Sequence, residues 1–150
     1  MLVYIGADHR GFPLRESLKK YLQENGYEVV DLGNEKLDPS DDYPDFASKV
    51  AKEVSLDPEH SRGIVICGSG VGVDVVANKY PNVRSALAAT PDQAMDSRKD
   101  DDTNVLALAA NYLNENEALK ITEVWLQTDF SEEERHRRRL EKIEKIEDSL

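Results

Sequence analysis

The segment Gly63-Ile-Val-Ile-Cys67-Gly-Ser-Gly-Val-Gly72 restricts the fold of this chain more than any other stretch. Its apolar run, rich in Val and Ile, reads as a buried strand, and it ends on the only cysteine. Three glycines at alternate positions follow, and Val71 to Ala77 then reads as the start of a helix. Strand, glycine turn and helix in that order aim backbone N–H groups at whatever lies beside Cys67. A thiol at a helix N-terminus also sits at the positive end of the dipole, which favours thiolate. One short segment therefore offers a base or nucleophile together with a cradle for negative charge.

The flanking sequence repeats the alternation. Leu2 to Ala7 is a first strand, and Leu14 to Asn25 places Leu14, Leu18, Tyr21 and Leu22 at helical spacing before Gly26. Tyr27 to Leu32 is a second strand, which completes the βαβ unit of a parallel sheet. Gly33 to Asp42 is a polar loop. Pro44 suits the first turn of a helix with Phe46, Ala47, Val50, Ala51 and Val54 on its buried face. After the Cys67 segment, Ser85 to Ala89 is a fourth strand, and Thr90-Pro91 opens a helix to about Arg98. An acidic loop, Lys99 to Asp102, leads to a fifth strand at Asn104 to Ala109. Asn114 caps a helix carrying Ala118, Ile121, Val124, Trp125 and Leu126. Ser131 then caps a charged helix to Leu150 with one narrow stripe of Leu140, Ile143, Ile146 and Leu150. No repeat or linker divides residues 1–150, which read as one domain. Five strands alternating with helices predict an α/β sandwich around a parallel sheet, with ligands at the carboxyl ends of the strands.

Composition narrows the partners. A net charge of −11 on 150 residues argues against nucleic acid or an anionic membrane, although Arg135-His136-Arg137-Arg138-Arg139 is a local basic cluster. A single cysteine forms no internal disulfide, which fits a reducing compartment. The start is strand-like, without a basic leader before an apolar core, and no apolar stretch approaches membrane-spanning length. The expected location is the cytoplasm.

Three strand ends carry chemistry-bearing residues: Asp8-His9, Cys67-Gly-Ser-Gly, and Thr90-Pro91-Asp92. Asp8 can serve merely to satisfy a turn, and Cys67 can be merely a small buried hydrophobe. Gly68, Gly70 and Gly72 are not the dinucleotide fingerprint, whose third glycine falls one position later, and no phosphate-loop Gly-Lys-Ser/Thr is present. The spacing therefore speaks against a nucleotide-binding signalling domain and leaves room for a smaller anion. Arg135 and Arg139, four apart with His136 between them, suit a phosphate. Pairing with Glu132, Glu133, Glu134 and Glu141 is the plainer alternative. No metal-ligand spacing exists, and neither metal nor cofactor is expected.

Together these residues resemble the ribose-5-phosphate isomerase type B family, which includes galactose-6-phosphate isomerase subunits. The resemblance spans nearly the whole chain. It rests on Ala7-Asp8-His9-Arg10-Gly11-Phe12, Asp42-Tyr43-Pro44-Asp45-Phe46-Ala47 and Ile66-Cys67-Gly68-Ser69-Gly70-Val71-Gly72. Ala77-Asn78-Lys79, Asp102-Thr103-Asn104-Val105-Leu106, and Arg135-His136 with Arg139 extend it. It implies a three-layer αβα Rossmann-like sandwich with a five-stranded parallel sheet and an extended C-terminal helix. It also implies a homodimer, in some members a tetramer, whose sites lie at the interface and whose C-terminal helix embraces the partner. The implied reaction is aldose–ketose isomerisation of a sugar phosphate, ribose 5-phosphate to ribulose 5-phosphate, through an enediolate.

In the roles that the resemblance implies, Cys67 is the base and Ser69 holds the family's hydroxyl position. N–H groups from Gly68, Gly70, Val71 and Gly72 form the anion hole. Asp8 and His9 contact the sugar and its phosphate, while Arg135, His136 and Arg139 hold the phosphate. The pattern breaks where the family reads His-Asn-Asp, because here the residues are Asp100-Asp101-Asp102. The family's His opens the furanose ring and its Asn completes the pocket. Asp100 and Asp101 are the corresponding candidates. An expected phosphate-binding Arg is Asn111, and all three changes are expected on the surface that a partner subunit contributes. Two other readings follow from these breaks. One is an isomerase of a tetrose or hexose phosphate, and the other is a sugar-phosphate-binding protein without turnover.

Overall fold

The computed structural model, which describes residues 1–150, contains five strands and six helices. In chain order they are β1 (Leu2–Ala7), α1 (Phe12–Glu24), β2 (Glu28–Asp31), α2 (Tyr43–Leu56), β3 (Ser61–Cys67), α3 (Val71–Ala77), β4 (Ser85–Leu87), α4 (Pro91–Asp101), β5 (Val105–Ala109), α5 (Glu115–Gln127) and α6 (Glu134–Asp148). The strands form a single sheet in the order β2-β1-β3-β5-β4, and every pairing is parallel. The expected α/β sandwich with its parallel sheet is therefore what the chain forms.

Two cores explain why β3 and β5 read as unbroken apolar runs. Successive side chains point to opposite faces, and helices cover both faces. Ile64, Ile66, Leu106 and Leu108 pack with Leu18 and Leu22 of α1 and Ile121 and Trp125 of α5. Val65, Cys67, Val105 and Ala107 face the other way, toward Ala47, Val50 and Val54 of α2 and Val73 and Ala77 of α3. Each fully buried Val, Leu or Ile among them stabilises the fold by about 1.5–3 kcal/mol relative to exposure. The Trp125 indole N–H, buried in the first core, donates to Thr103 Oγ1 at 3.0 Å, so its one polar atom is satisfied.

Two local expectations are corrected. Lys99 to Asp101 are not loop but the last turn of α4. Buried Arg98 holds that turn, donating from Nη1 to Asp102 Oδ1 at 2.8 Å and from Nε to the Thr128 carbonyl at 3.1 Å. The helix closes only at Asp102, where φ is +45°. Tertiary anchoring outweighs the unfavourable placing of acids at a helix C-terminus. Ser131 does not cap α6 either. Glu132 has φ +58°, so the chain is still turning there, and Glu133 occupies the cap position. The apolar stripe on α6 is present. Leu140 is buried, whereas Ile143, Ile146 and Leu150 are 44%, 63% and 100% exposed. No helix is long and apolar enough to cross a membrane.

Candidate active site

The strand order reverses between β1 and β3, so the loops after these two strands open away from each other and leave a crevice at their carboxyl ends. A cavity of about 520 Å³ occupies it, lined by Asp8, Arg10, Tyr43, Cys67, Gly68, Ser69, Val71, Gly72, Val75 and Asn111. Most of the predicted anion cradle therefore lies on one wall beside the predicted base.

The glycines earn their places by geometry. Gly70 sits at φ +74°, in the left-handed region, where a Cβ would also stand 2.5 Å from Leu87 Cδ1. At Gly72 a Cβ would stand 2.6 Å from the Tyr43 ring, so the missing side chain lets that ring close over the turn. The amides of Gly68, Ser69 and Gly70 have no acceptor within the chain, while the Val71 amide donates to Ser69 Oγ at 3.3 Å. Three free donors in succession after Cys67 form a backbone concavity able to receive a developing oxyanion. The Cys67 thiol is buried and is the only thiol in the molecule.

Asp8 serves the turn and the pocket at once. Its Oδ1 accepts from the Arg10 amide at 3.0 Å and the Gly11 amide at 3.1 Å, and the carboxylate also lines the cavity. His9 is fixed by a residue with no role in the sequence-based scheme. Asp41 Oδ1 accepts from both the backbone N–H and the ring Nδ1 of His9, each at 2.8 Å. Asp41 Oδ2 accepts from the Asn34 side-chain amide at 3.0 Å, and the Asn34 carbonyl accepts in turn from buried Arg15. The carboxylate thus leaves Nε2 as the free ring nitrogen of His9.

Asn111 corrects the expectation that it belongs to a partner's surface. Cys67 pairs with Ala109 in the sheet, so the residue just past the end of β5 comes level with the residue just past the end of β3. The Asn111 amide donates to the Gly68 carbonyl at 2.9 Å, and Asn111 lines the Cys67 cavity of its own chain.

Asp100, Asp101, Arg135, His136 and Arg139 do not join this cavity. The end of α4 leads into the amino end of β5, so these residues gather at the opposite edge of the sheet. A seven-residue strand such as β3 spans roughly 20 Å. There His136 is buried, with Nδ1 2.7 Å from Ser131 Oγ and Nε2 3.6 Å from Asp100 Oδ1. Arg135 pairs with Glu133 at 2.9 Å and Arg137 with Glu132 at 3.3 Å, whereas Arg139 has no acidic partner. The plainer reading of the charge run holds for Arg135 and Arg137 within one chain.

Arg10, Tyr43 and Val75 are the lining residues without a role in the sequence-based scheme, which named Asn111 only as standing in place of an expected arginine. Arg10 and Tyr43 had a legible signal, since each stands within one of the family-like motifs. Asp41 had none, because its position against His9 depends on which strands are neighbours.

Comparison with known proteins agrees with this geometry. A family model described as Ribose/Galactose Isomerase matches residues 3–143. The probable ribose-5-phosphate isomerase B of Mycoplasma genitalium is 40% identical over 141 residues, which is 94% of this chain and 92% of that protein. The ribose-5-phosphate isomerase B of Escherichia coli is 39% identical over 145 residues, 97% of this chain and 95% of the relative. A crystal structure of the Mycoplasma genitalium enzyme with bound ribulose-5-phosphate superposes with a TM-score of 0.96 at 38% identity, covering 99% of this chain and 97% of that one. With its parallel sheet, its Cys67 crevice and this similarity along nearly its whole length, the chain belongs to the ribose/galactose isomerase family.

Proposed function

We propose that this protein interconverts ribose 5-phosphate and ribulose 5-phosphate, with Cys67 as the base. The observation that carries the reading is the crevice after β1 and β3, where a lone thiol adjoins three amides without acceptors, in a chain similar to a ribulose-5-phosphate-bound relative.

The reaction divides among the residues as follows. The Cys67 thiolate takes the proton from C2 of the open-chain aldose, and the C–H electrons pass through C2–C1 onto the carbonyl oxygen O1. The amides of Gly68, Ser69 and Gly70 stabilise the resulting enediolate, while those of Val71 and Gly72 extend the cradle into the first turn of α3. Protonation at C1 and transfer of the O2 proton to O1 then leave the ketose. Ser69 supplies a hydroxyl beside the thiol. Asp8 contacts the sugar hydroxyls, and His9, oriented by Asp41, contacts the phosphate.

The second half of the site is assigned to another copy of the chain. Asp100, with the His136 imidazole 3.6 Å from its carboxyl, opens the furanose ring, and Asp101 stands beside it. Arg135, His136 and Arg139 hold the phosphate. Two features support a homodimer built this way. These residues gather at the edge of the sheet opposite Cys67, and α6 leaves Ile143, Ile146 and Leu150 uncovered. The lone free thiol supports the cytoplasm as the compartment.

The test is an isomerase assay on purified protein against four-, five- and six-carbon aldose and ketose phosphates. Ribose 5-phosphate is expected to turn over fastest. Preference for a tetrose or hexose phosphate would displace the pentose assignment, and turnover of none would leave a binding protein.

A further inference from the structure

Arg10 is the only cationic side chain on the wall of the Cys67 cavity. Its backbone amide is engaged by Asp8, but its guanidinium makes neither an ion pair nor a hydrogen bond within the chain. In a molecule with 30 acidic against 19 basic residues, a cavity-wall guanidinium with neither an ion pair nor a hydrogen bond stands out. Arg15, Arg84 and Arg98, by contrast, are all held by carboxylates and backbone carbonyls.

Packing fixes where Arg10 runs. A Cβ on Gly68 would stand 2.8 Å from Arg10 Cδ and 2.8 Å from Asn111 Nδ2. The arginine stem therefore crosses the bare backbone immediately after Cys67, beside the Asn111 side chain. The Arg10 side chain, the Asn111 side-chain amide and the acceptor-free amides of Gly68 and Ser69 thus line the same cavity. The carboxylate in the same cavity is Asp8, one of whose oxygens is already occupied by two backbone donors. Convergent charged and neutral donors of this kind suit a dianionic phosphate, which a guanidinium can meet through two parallel N–H groups.

We infer that Arg10 is a substrate-binding residue of this enzyme, which with Asn111 holds the phosphate of the sugar phosphate from the same side of the crevice as Cys67. The inference rests on the proposed isomerase reading and adds a cation contributed by the base's own chain. The neighbouring amide of Asn111 donates without adding charge, so Arg10 supplies the positive charge in that cavity.

The test compares Arg10→Gln and Arg10→Lys with the parent enzyme. Arg10 is exposed, so both variants should keep the parent melting temperature. Arg10→Gln should raise KM for ribose 5-phosphate roughly tenfold, and weaken competitive inhibition by inorganic phosphate by a similar factor. Its kcat should stay within about twofold, and Arg10→Lys should lie between parent and Gln variant. A KM and a phosphate inhibition constant both unchanged in Arg10→Gln would overturn the inference. Calorimetric binding of ribulose 5-phosphate to Cys67→Ala, with and without Arg10→Gln, separates it from the reading beneath it. Weakened binding in a protein whose parent shows no turnover would sustain Arg10 and sink the isomerase. Unchanged binding beneath an active parent would do the reverse.

Discussion

The two edges of the sheet are built on different terms. At the carboxyl edge, β1, β3 and β5 end side by side, and neighbours in the sheet bring Asp8, Cys67 and Asn111 to one crevice within a single chain. At the amino edge, the end of α4 meets the start of α6, where Asp100 and the α6 arginines lie on an open surface over buried His136, on the helix that exposes Ile143 and Ile146. One edge holds a concave, preorganised pocket with a thiol. The other holds cations that can reach a ligand only if the ligand, or another copy of the chain, comes to them. The proposed base and the α6 arginines proposed to hold the phosphate are thus separated by the length of a strand within one protomer.

The largest expected effect falls on the carboxyl edge. Replacing Cys67 by Ala should lower kcat by about 10³-fold or more, because proton transfer at carbon loses its base. Ribulose 5-phosphate should still bind in calorimetry, and an activity loss of less than tenfold would remove Cys67 from that role.

Next in size is Gly70→Ala, which forces a side chain into φ +74° and against Leu87. A loss of about 1–3 kcal/mol is expected in urea unfolding. An unchanged midpoint would mean that the turn can relax, and that the cradle is less rigid than described.

Asp41→Ala should act on substrate binding through His9, freeing its ring and raising KM for ribose 5-phosphate by about threefold to tenfold while kcat changes little. The increase should vanish in a His9→Ala background. Additive effects would show that Asp41 does not work by holding the imidazole.

Asp74 gives the smallest effect. Burial pushes its carboxyl above the usual range, against a hydrogen bond from Ser85 Oγ that acts the other way. A carboxyl raised in the folded state favours folding below its unfolded pKa, and that contribution is lost as pH rises through the folded value. Asp74→Asn should therefore gain stability relative to the parent at neutral pH and lose that gain in acid. The reverse trend in melting temperature would contradict the burial argument.

Much of the carboxyl edge was legible in the residues themselves. The apolar run into Cys67, the glycines and the helix after them are local, so periodicity and turn chemistry expose them. What remained hidden was non-local. Asp41 reaches His9 because β2 lies beside β1, and Asn111 reaches Gly68 because Cys67 pairs with Ala109. Neither register can be read from spacing along the chain. The α4 ending was misread for a related reason. Asp100 to Asp102 look like a loop by propensity, yet Arg98 ties that turn to Thr128, thirty residues away. The amino edge was legible as a charge pattern, but its distance from Cys67 emerges only once the strand order is known.

The central claim is that one active site draws its base from one copy and the α6 arginines, Arg135 and Arg139, from another. Co-expression of Cys67→Ala with the double variant Arg135→Ala and Arg139→Ala, each inactive alone, tests it directly. Random pairing should produce mixed dimers in which one site of two is intact, restoring about a quarter of the parent kcat per subunit. Activity no higher than the sum of the two separate variants would contradict a site shared between copies.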